Sequence, residues 1–184
     1  MKKGIIAIVC LLCLLACQNP EARWYVSKKS GSYISESVQR NKELISEEEV
    51  FIKKLIEQDT TNTYLNSENG FWYRYITQDT LTTKTPVKGD IVNFTYDLQT
   101  LSGTTILSKE AIGVQAMKID QSNQELISGI RDGLKILKEG ETITFLFPSH
   151  KAYGYYGFED KIGSNLPIRS TVSLLKIEED NQPE

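Results

Sequence analysis

Histidine and cysteine are both scarce in this chain. Its 184 residues include one histidine and three cysteines. A Ser–His or Cys–His catalytic relay would have to use His150, which follows Pro148-Ser149 in a predicted loop without neighbouring metal ligands. The sequence also lacks a P-loop, a dinucleotide-binding glycine pattern and an Asp-rich calcium loop. We therefore expect no metal site and no bound cofactor.

The first residues are typical of a secretory signal peptide. Lys2 and Lys3 precede an apolar run over residues 5–16, which is too short to span a bilayer. Residues 1–16 are therefore predicted to be removed. The remaining sequence shows no internal repeat and no run that predicts a transmembrane helix.

The end of this segment, Leu14-Leu15-Ala16-Cys17, resembles the bacterial lipobox, in which the cysteine thiol is acylated before cleavage. The resemblance implies a membrane anchor at Cys17, because several acyl chains hold a protein firmly where one chain would not. The alternative is a signal peptide that ends in a cysteine by chance. Cys10 and Cys13 lie inside the removed segment, so we expect a mature chain without a redox motif or a disulfide.

The charge distribution argues against nucleic acid as a partner. Lys2 and Lys3 are the charged residues of the removed segment, so their loss changes the formal net charge from −3 to −5. No stripe of Lys and Arg appears elsewhere. Gln18 follows Cys17 where many inner-membrane lipoproteins have an aspartate. We therefore expect a lipid-anchored protein of the cell envelope, at the outer membrane and facing the periplasm.

Residues 17–69 are predicted to form a tether and an α-helical arm. The segment Ser46-Glu47-Glu48-Glu49 has the spacing of a capping box and predicts a helix start at Ser46, with Ile45 and Val50 as the staple pair. A separate, weaker helix is predicted through Ile34 and Val38, because nearby serines compete for backbone hydrogen bonds. The arm packs against its own domain or forms a homodimer or partner surface, and the sequence leaves both interpretations open.

Residues 70–180 are predicted to form the main domain. Alternating apolar and polar residues predict short strands at 71–76, 92–98, 104–107, 117–119, 143–147 and 171–177. Ile130, Leu134 and Leu137 are spaced i, i+4, i+7 and predict one helix of about three turns that ends at Gly140. Together the elements predict an α+β domain, in which a curled antiparallel sheet wraps around one short helix.

Four motifs in this region follow one another in a fixed order. They are Val-Lys-Gly-Asp at 87–90, Gln-Glu-Leu-Ile-Ser-Gly-Ile-Arg-Asp-Gly-Leu at 124–134, Lys-Glu-Gly-Glu at 138–141 and Lys-Ala-Tyr-Gly at 151–154. This order resembles the FKBP family of peptidyl-prolyl cis–trans isomerases. The resemblance implies an FKBP-like fold and isomerase activity on X–Pro bonds, with proline-containing segments of exported proteins as substrates.

The resemblance also implies an active site. The catalytic roles fall on the Tyr153 hydroxyl, on the backbone N–H of Ile127 and on Tyr96 at a strand end. Seven further positions are implied to bind substrate: Ile106, Leu107, Met117, Leu126, Ile130, Phe158 and Ile162. Such a site needs no acid–base pair, because apolar walls and donors that bind only the twisted carbonyl stabilise the transition state.

Several positions depart from the best-known FKBP members. The pocket-floor tryptophan is replaced by Ile130, two wall phenylalanines by Ile106 and Met117, an aspartate by Leu107, a loop histidine by Phe158 and a third phenylalanine by Ser170. The pocket stays apolar but loses aromatic area, which predicts weaker binding of substrates and of the family's macrolide inhibitors.

Short strings extend the likeness to the gliding-motility-associated FKBP lipoproteins of Bacteroidetes. They are the lipobox, Gly-Phe-Trp-Tyr at 70–73 and Lys-Ile-Gly-Ser-Asn at 161–165. The first hypothesis is a lipid-anchored isomerase that assists the folding of exported proteins, including components of a gliding-motility or secretion apparatus. One alternative is a non-catalytic proline-peptide-binding chaperone or scaffold with an eroded pocket. Another is a purely structural lipoprotein.

Overall fold

The structure is a computed structural model that describes residues 30–121 and 126–179. The predicted signal peptide and Cys17 lie outside these ranges. The helices are α1 (Ser30–Gln58), α2 (Lys109–Ile112) and α3 (Ser128–Leu134), with 3-10 turns at Ser149–Lys151 and Gly154–Tyr156. The strands are β1 (Leu65–Ser67), β2 (Phe71–Thr77), β3 (Ile91–Tyr96), β4 (Leu98–Thr100), β5 (Thr105–Leu107), β6 (Gln115–Lys118), β7 (Thr142–Phe147) and β8 (Ile168–Glu178). No helix within the described ranges has the length and hydropathy needed to cross a membrane.

The strands form one antiparallel sheet in the order β1-β2-β7-β8-β3-β6, and β4 pairs with both β5 and β8. The long strand β8 organises the sheet, because it pairs with β7, with β3 and with β4 along its length. The predicted strand at 92–98 divides at Asp97, which lies between β3 and β4. The side chain of Asp97 accepts a hydrogen bond from the Thr171 N–H at 2.7 Å, and this bond holds the division in place. The predicted α+β class is confirmed.

The main core lies between α3 and one face of the sheet. Ile130 and Leu134 of α3 are fully buried against aromatic side chains of β2, β3 and β7. The rings of Phe145 and Phe147 stack with centroids 5.3 Å apart, and Phe71 meets each of them edge-on. Edge-to-face and offset pairs are the favourable arrangements for aromatic rings. These contacts place the start of α3 firmly over the sheet.

A second, smaller core lies on the opposite face of the sheet. Ile52 of α1 packs there with Trp72, Leu101 and Leu146. Trp72 pairs with Leu146 across β2 and β7, and successive strand residues point to opposite faces. Both faces of β7 are therefore covered, which is why its residues 143–147 are all buried instead of alternating. The C-terminal half of the arm thus packs against its own domain.

The predicted capping box at Ser46 is wrong. Residues 30–58 form one continuous helix, so Ser46 and Glu49 lie in its interior and cannot cap its start. Residues 32–58 contain no glycine or proline, and nothing in this stretch ends a helix. Glu49 instead pairs with Lys53 one turn later, and the predicted staple residue Val50 is 63% exposed.

The predicted length of the domain helix is also wrong. Helix α3 ends at Leu134, after about two turns rather than three. The N–H groups of Ile136 and Leu137 bond three residues back, to Gly133 and Leu134, so the chain leaves the helix in tight turns. Leu137 is still fully buried, because the turn directs it into the core. Gly140 lies in the following turn, well beyond the helix end.

Candidate active site

Tyr153 lies between the two 3-10 turns, at the margin of the main core. Its half-buried ring packs against the ring of Phe158, with the centroids 4.9 Å apart and the planes tilted by 32°. Among the described residues, none accepts a hydrogen bond from the Tyr153 hydroxyl. The packing therefore fixes the ring while the hydroxyl stays available to donate.

The surroundings of this hydroxyl keep it protonated. Burial, with smaller contributions from the nearby Tyr96 and Glu159, raises the pKa of Tyr153 to about 12. Burial also raises the pKa of Tyr96, whose ring stacks on Phe94 with centroids 5.9 Å apart. Because the ordinary tyrosine pKa is about 10, both groups are neutral O–H donors throughout the physiological range.

The loop after Tyr153 is closed by backbone hydrogen bonds. Phe158 and Ile162 form an antiparallel bridge, with N–H···O distances of 2.9 and 3.1 Å. Gly157 permits this closure because its φ is +65° and because a Cβ there would collide with the Ile162 carbonyl oxygen. The Asn165 N–H also donates to the Gly154 carbonyl at 2.8 Å. The loop that carries Phe158 and Ile162 is thus held in one shape.

Ile127 lies directly before α3, with φ −55° and ψ 143°. Its side chain is buried and its carbonyl accepts from the Arg131 N–H at the start of the helix. No described group accepts a hydrogen bond from the Ile127 N–H. An unpaired backbone N–H beside a core is uncommon and is suited to bind a carbonyl oxygen from outside.

All ten predicted site residues belong to the main core cluster or pack against it. Six are half-buried and form its accessible margin: Tyr96, Ile106, Leu107, Leu126, Tyr153 and Phe158. The other four are buried: Met117, Ile127, Ile130 and Ile162. Ile130, the predicted pocket floor, has no exposed surface, so a substrate that entered without rearrangement would meet the half-buried residues first.

Ser170 has a role that the sequence does not reveal. Its side chain is fully buried, and its hydroxyl donates to the Asp97 carbonyl oxygen at 2.7 Å. The serine therefore satisfies a backbone acceptor where β3 ends. Leu107 pairs with Leu98 across β5 and β4, and its side chain packs at the margin of the core. Both departures from the FKBP pattern are accommodated by local contacts.

Glu48 lies near the site and is not among the residues that the sequence predicts for it. Glu48 belongs to the segment predicted to start a helix, yet its side chain accepts hydrogen bonds from Ser149, which is 101 positions away. No local pattern predicts a contact at that separation. His150 lies in the same turn, and partial desolvation together with the charge of Lys151 lowers its pKa. The described residues contain no cluster of three or more potential metal-binding side chains of the His, Cys, Asp or Glu type.

The chain is similar to several known proteins. The profile of the family "FKBP-type peptidyl-prolyl cis-trans isomerase" matches residues 82–175. A protein of Neisseria meningitidis serogroup B, named "Probable FKBP-type peptidyl-prolyl cis-trans isomerase FkpA", is 34% identical over 129 residues, or 70% of this chain. The match spans 44% of that relative's own length.

Two crystal structures share the fold. A peptidyl-prolyl cis–trans isomerase from Pseudomonas syringae pv. tomato has a TM-score of 0.58 at 19% identity, covering 75% of this chain and 96% of its own. FkpA from Escherichia coli also has a TM-score of 0.58 at 19% identity, covering 97% of this chain and 83% of its own. The predicted FKBP-like fold is confirmed. Since the family profile matches half of the sequence, the chain belongs to the FKBP-type peptidyl-prolyl cis–trans isomerase family.

Proposed function

We propose that this protein catalyses cis–trans isomerisation of X–Pro bonds in exported proteins. One observation carries the proposal. Two hydrogen-bond donors have no acceptor among the described residues: the hydroxyl of Tyr153, at the margin of the main core, and the N–H of Ile127, a buried residue of the same core. Family membership supplies the reaction class, and these donors supply a means of stabilising its transition state.

Prolyl isomerisation does not need an acid–base pair. Rotation about the peptide bond has a barrier of about 18–20 kcal/mol, because the C–N bond loses its partial double-bond character as it twists. The planar amide is charge-separated and is favoured by water, so an apolar site favours the twisted form. Donors that meet the carbonyl oxygen only in the twisted geometry add differential stabilisation of the transition state.

Each predicted residue has a place in this mechanism. Tyr153 and the Ile127 N–H orient the rotating carbonyl, and Tyr96 closes the site beside Tyr153. Leu126 and Phe158 present apolar surface next to these donors. The role of excluding water falls to five residues of the same core or its margin, Ile106, Leu107, Met117, Ile130 and Ile162. The pKa of about 12 supports this role for Tyr153, because the hydroxyl keeps its proton at any pH at which the protein works.

The proposed location follows from residues 1–17. Acylation of Cys17 would attach the protein to the outer membrane, where it would act on periplasmic segments of exported proteins, including those of a gliding-motility or secretion apparatus. Mass spectrometry of the membrane fraction tests the anchor. An acylated Cys17 peptide is expected, and an intact chain with an unmodified Cys17 would contradict it.

A second function is favoured by one specific observation. Ile130 and Ile162 have almost no exposed surface, so the described site is shallow. A shallow site that grips proline segments without lowering the rotation barrier would make the protein a chaperone or scaffold. In that case the exposed apolar residues of the arm, Tyr33, Ile34 and Phe51, would recruit a partner or a second copy of the chain.

Exchange spectroscopy separates these two functions. A short X–Pro peptide is mixed with a catalytic amount of the full-length chain carrying Cys17→Ser, which removes the acylation site. Uncatalysed exchange between the cis and trans forms takes tens of seconds or longer. Faster exchange between their resonances in the presence of the protein supports the isomerase. Peptide resonances that shift at stoichiometric protein without faster exchange would support the binding module instead.

A further inference from the structure

Glu48 is a buried carboxylate, and its hydrogen bonds within the described part of the chain both come from Ser149. It lies on α1 and is 7% exposed. One carboxylate oxygen, Oε2, accepts from the Ser149 N–H at 2.7 Å, and the other, Oε1, accepts from the Ser149 hydroxyl at 2.7 Å. Burial of a carboxylate is costly unless hydrogen bonds replace water, and hydrogen bonds to a charged group are the stronger kind. Both oxygens are therefore committed to fixing one residue of the domain.

Ser149 begins the short turn that leads to Tyr153. The Lys151 N–H donates to the Pro148 carbonyl and the Ala152 N–H donates to the Ser149 carbonyl, each at 2.9 Å. These bonds leave the turn little freedom, and Tyr153 lies two residues after its end. The position of Ser149 is thereby transmitted to the backbone that carries the Tyr153 ring.

The same turn is bonded to the start of α3. The Lys151 carbonyl accepts from the Ser128 hydroxyl at 3.3 Å, and the Lys151 ammonium pairs with Asp132 at 3.1 Å. Ser128 is the residue after Ile127, whose N–H is the second proposed donor. One turn of three residues is therefore fastened to α1 on one side and to α3 on the other.

We propose that Glu48 is a positioning residue for the isomerase site, acting through Ser149 on the relative placement of the Tyr153 hydroxyl and the Ile127 N–H. This inference rests on the proposed function of those two donors. It makes the helical arm a working part of the active site, in addition to any role as a tether or a partner surface.

The apolar contacts of α1 argue that attachment alone does not require Glu48. Ile52, one turn later on the same helix, already packs into the second core with Trp72 and Leu146. A buried charged contact commonly adds less to stability than an apolar side chain of similar size at the same place. It does, however, constrain the position and orientation of the group that it bonds. Glu48 is therefore expected to affect the geometry of the turn more than the attachment of the helix.

The test compares four variants of the full-length Cys17→Ser chain. Glu48→Ala removes both acceptors. Glu48→Gln keeps an oxygen for the Ser149 N–H, and its amide can donate to the Ser149 hydroxyl, so it is the conservative rescue. Glu47→Ala removes an exposed neighbouring carboxylate as the matched control. Ile52→Ala weakens the packing of α1 without touching the turn.

Two quantities are measured for each variant. The first is kcat/KM for an X–Pro peptide. The second is the pKa of Tyr153, followed by tyrosinate absorbance and assigned by its absence in Tyr153→Phe. Glu48→Ala is expected to lower kcat/KM about tenfold and to move the pKa of Tyr153 from about 12 towards the ordinary value of about 10. Glu48→Gln should retain most of the parent kcat/KM and most of the raised pKa of Tyr153, and Glu47→Ala should change neither quantity.

The outcomes separate positioning from stability and from the proposed function. Equal losses in Ile52→Ala and Glu48→Ala would overturn the proposal, because any loosening of α1 would then suffice. An unchanged Tyr153 pKa in Glu48→Ala would overturn it as well. If the parent chain catalyses no exchange, the proposed function fails, yet the pKa measurement still decides whether Glu48 holds the Tyr153 turn.

Discussion

A Cβ atom placed on Gly129 would lie 2.5 Å from Cδ1 of Phe147, inside any tolerated contact distance. One turn later, a Cβ on Gly133 would lie 2.8 Å from Cζ of Phe145. Helix α3 therefore rests directly on the stacked rings of β7 through its two glycines. This close approach fixes the start of the helix, and with it the Ile127 N–H that the proposed mechanism uses.

Gly129→Ala is expected to destabilise the domain. Alanine normally stabilises a helix interior by about 0.5–1 kcal/mol relative to glycine, but here the added methyl must displace a buried aromatic ring. Overpacking of this kind costs about 1–3 kcal/mol. Urea unfolding measures the change, with Gly163→Ala as the control because nothing lies within 4 Å of its Cβ. Equal stability of the two variants would contradict the proposed packing.

Ile52→Ala tests whether the arm folds with the domain. Ile52 is fully buried in the second core, whereas its neighbour Phe51 is 56% exposed. Loss of a buried isoleucine side chain is expected to lower the free energy of unfolding by about 2–5 kcal/mol. Phe51→Ala should change it by no more than about 0.5 kcal/mol. A larger loss in Phe51→Ala would mean that the arm packs through its other side.

Glu141→Gln tests a buried carboxylate that joins two loops. Its oxygens accept from the Asp79 N–H at 2.9 Å and from the Lys138 N–H at 2.8 Å, and the residue is 1% exposed. Glutamine has one carbonyl oxygen, so one of these donors would face an amide NH₂. An unsatisfied buried donor costs about 1–3 kcal/mol. The exposed Glu68→Gln is the control in chemical unfolding, and a comparable loss there would refute this account.

The raised pKa of Tyr153 predicts two pH profiles. Catalysis that uses its hydroxyl should be independent of pH between about 7 and about 10, where the group stays protonated. Stability should fall as pH rises from about 10 to about 12. In that window the unfolded tyrosine has lost its proton while the folded one, with a pKa of about 12, still holds it. Tyr153→Phe should lack this share of the alkaline loss, as unfolding at increasing pH would show.

The strands other than β1 and β4 could be predicted because each carries its own signal. Phe71, Phe145 and Val172 each stand in a run of β-forming residues, and the observed strands lie within a few residues of the predicted ones. The helix ends could not be predicted equally well. At Ser46 a local capping pattern competes with uninterrupted helix formation on both sides, and the longer helix prevails. At Leu134 the chain leaves the helix through tight turns, although the i, i+4, i+7 apolar spacing continues to Leu137.

The candidate site, too, could be predicted only in part from the sequence. Family resemblance selected ten residues that the fold brings to one core, because their order along the chain carries the pattern. The bond from Glu48 to Ser149 joins residues 101 positions apart, and the bond from Ser170 to the Asp97 carbonyl joins a side chain to a backbone atom. Neither contact has a local signature, so only the folded chain reveals them.

The most direct test of the proposed mechanism is cis–trans exchange of an X–Pro peptide catalysed by the parent chain, by Tyr153→Phe and by Tyr156→Phe. Tyr156 is 94% exposed and serves as the matched control. We predict acceleration by the parent chain, a loss of about tenfold in Tyr153→Phe, corresponding to one hydrogen bond of about 1.4 kcal/mol, and no change in Tyr156→Phe. A folded Tyr153→Phe protein that catalyses exchange as fast as the parent chain would contradict the role assigned to the Tyr153 hydroxyl.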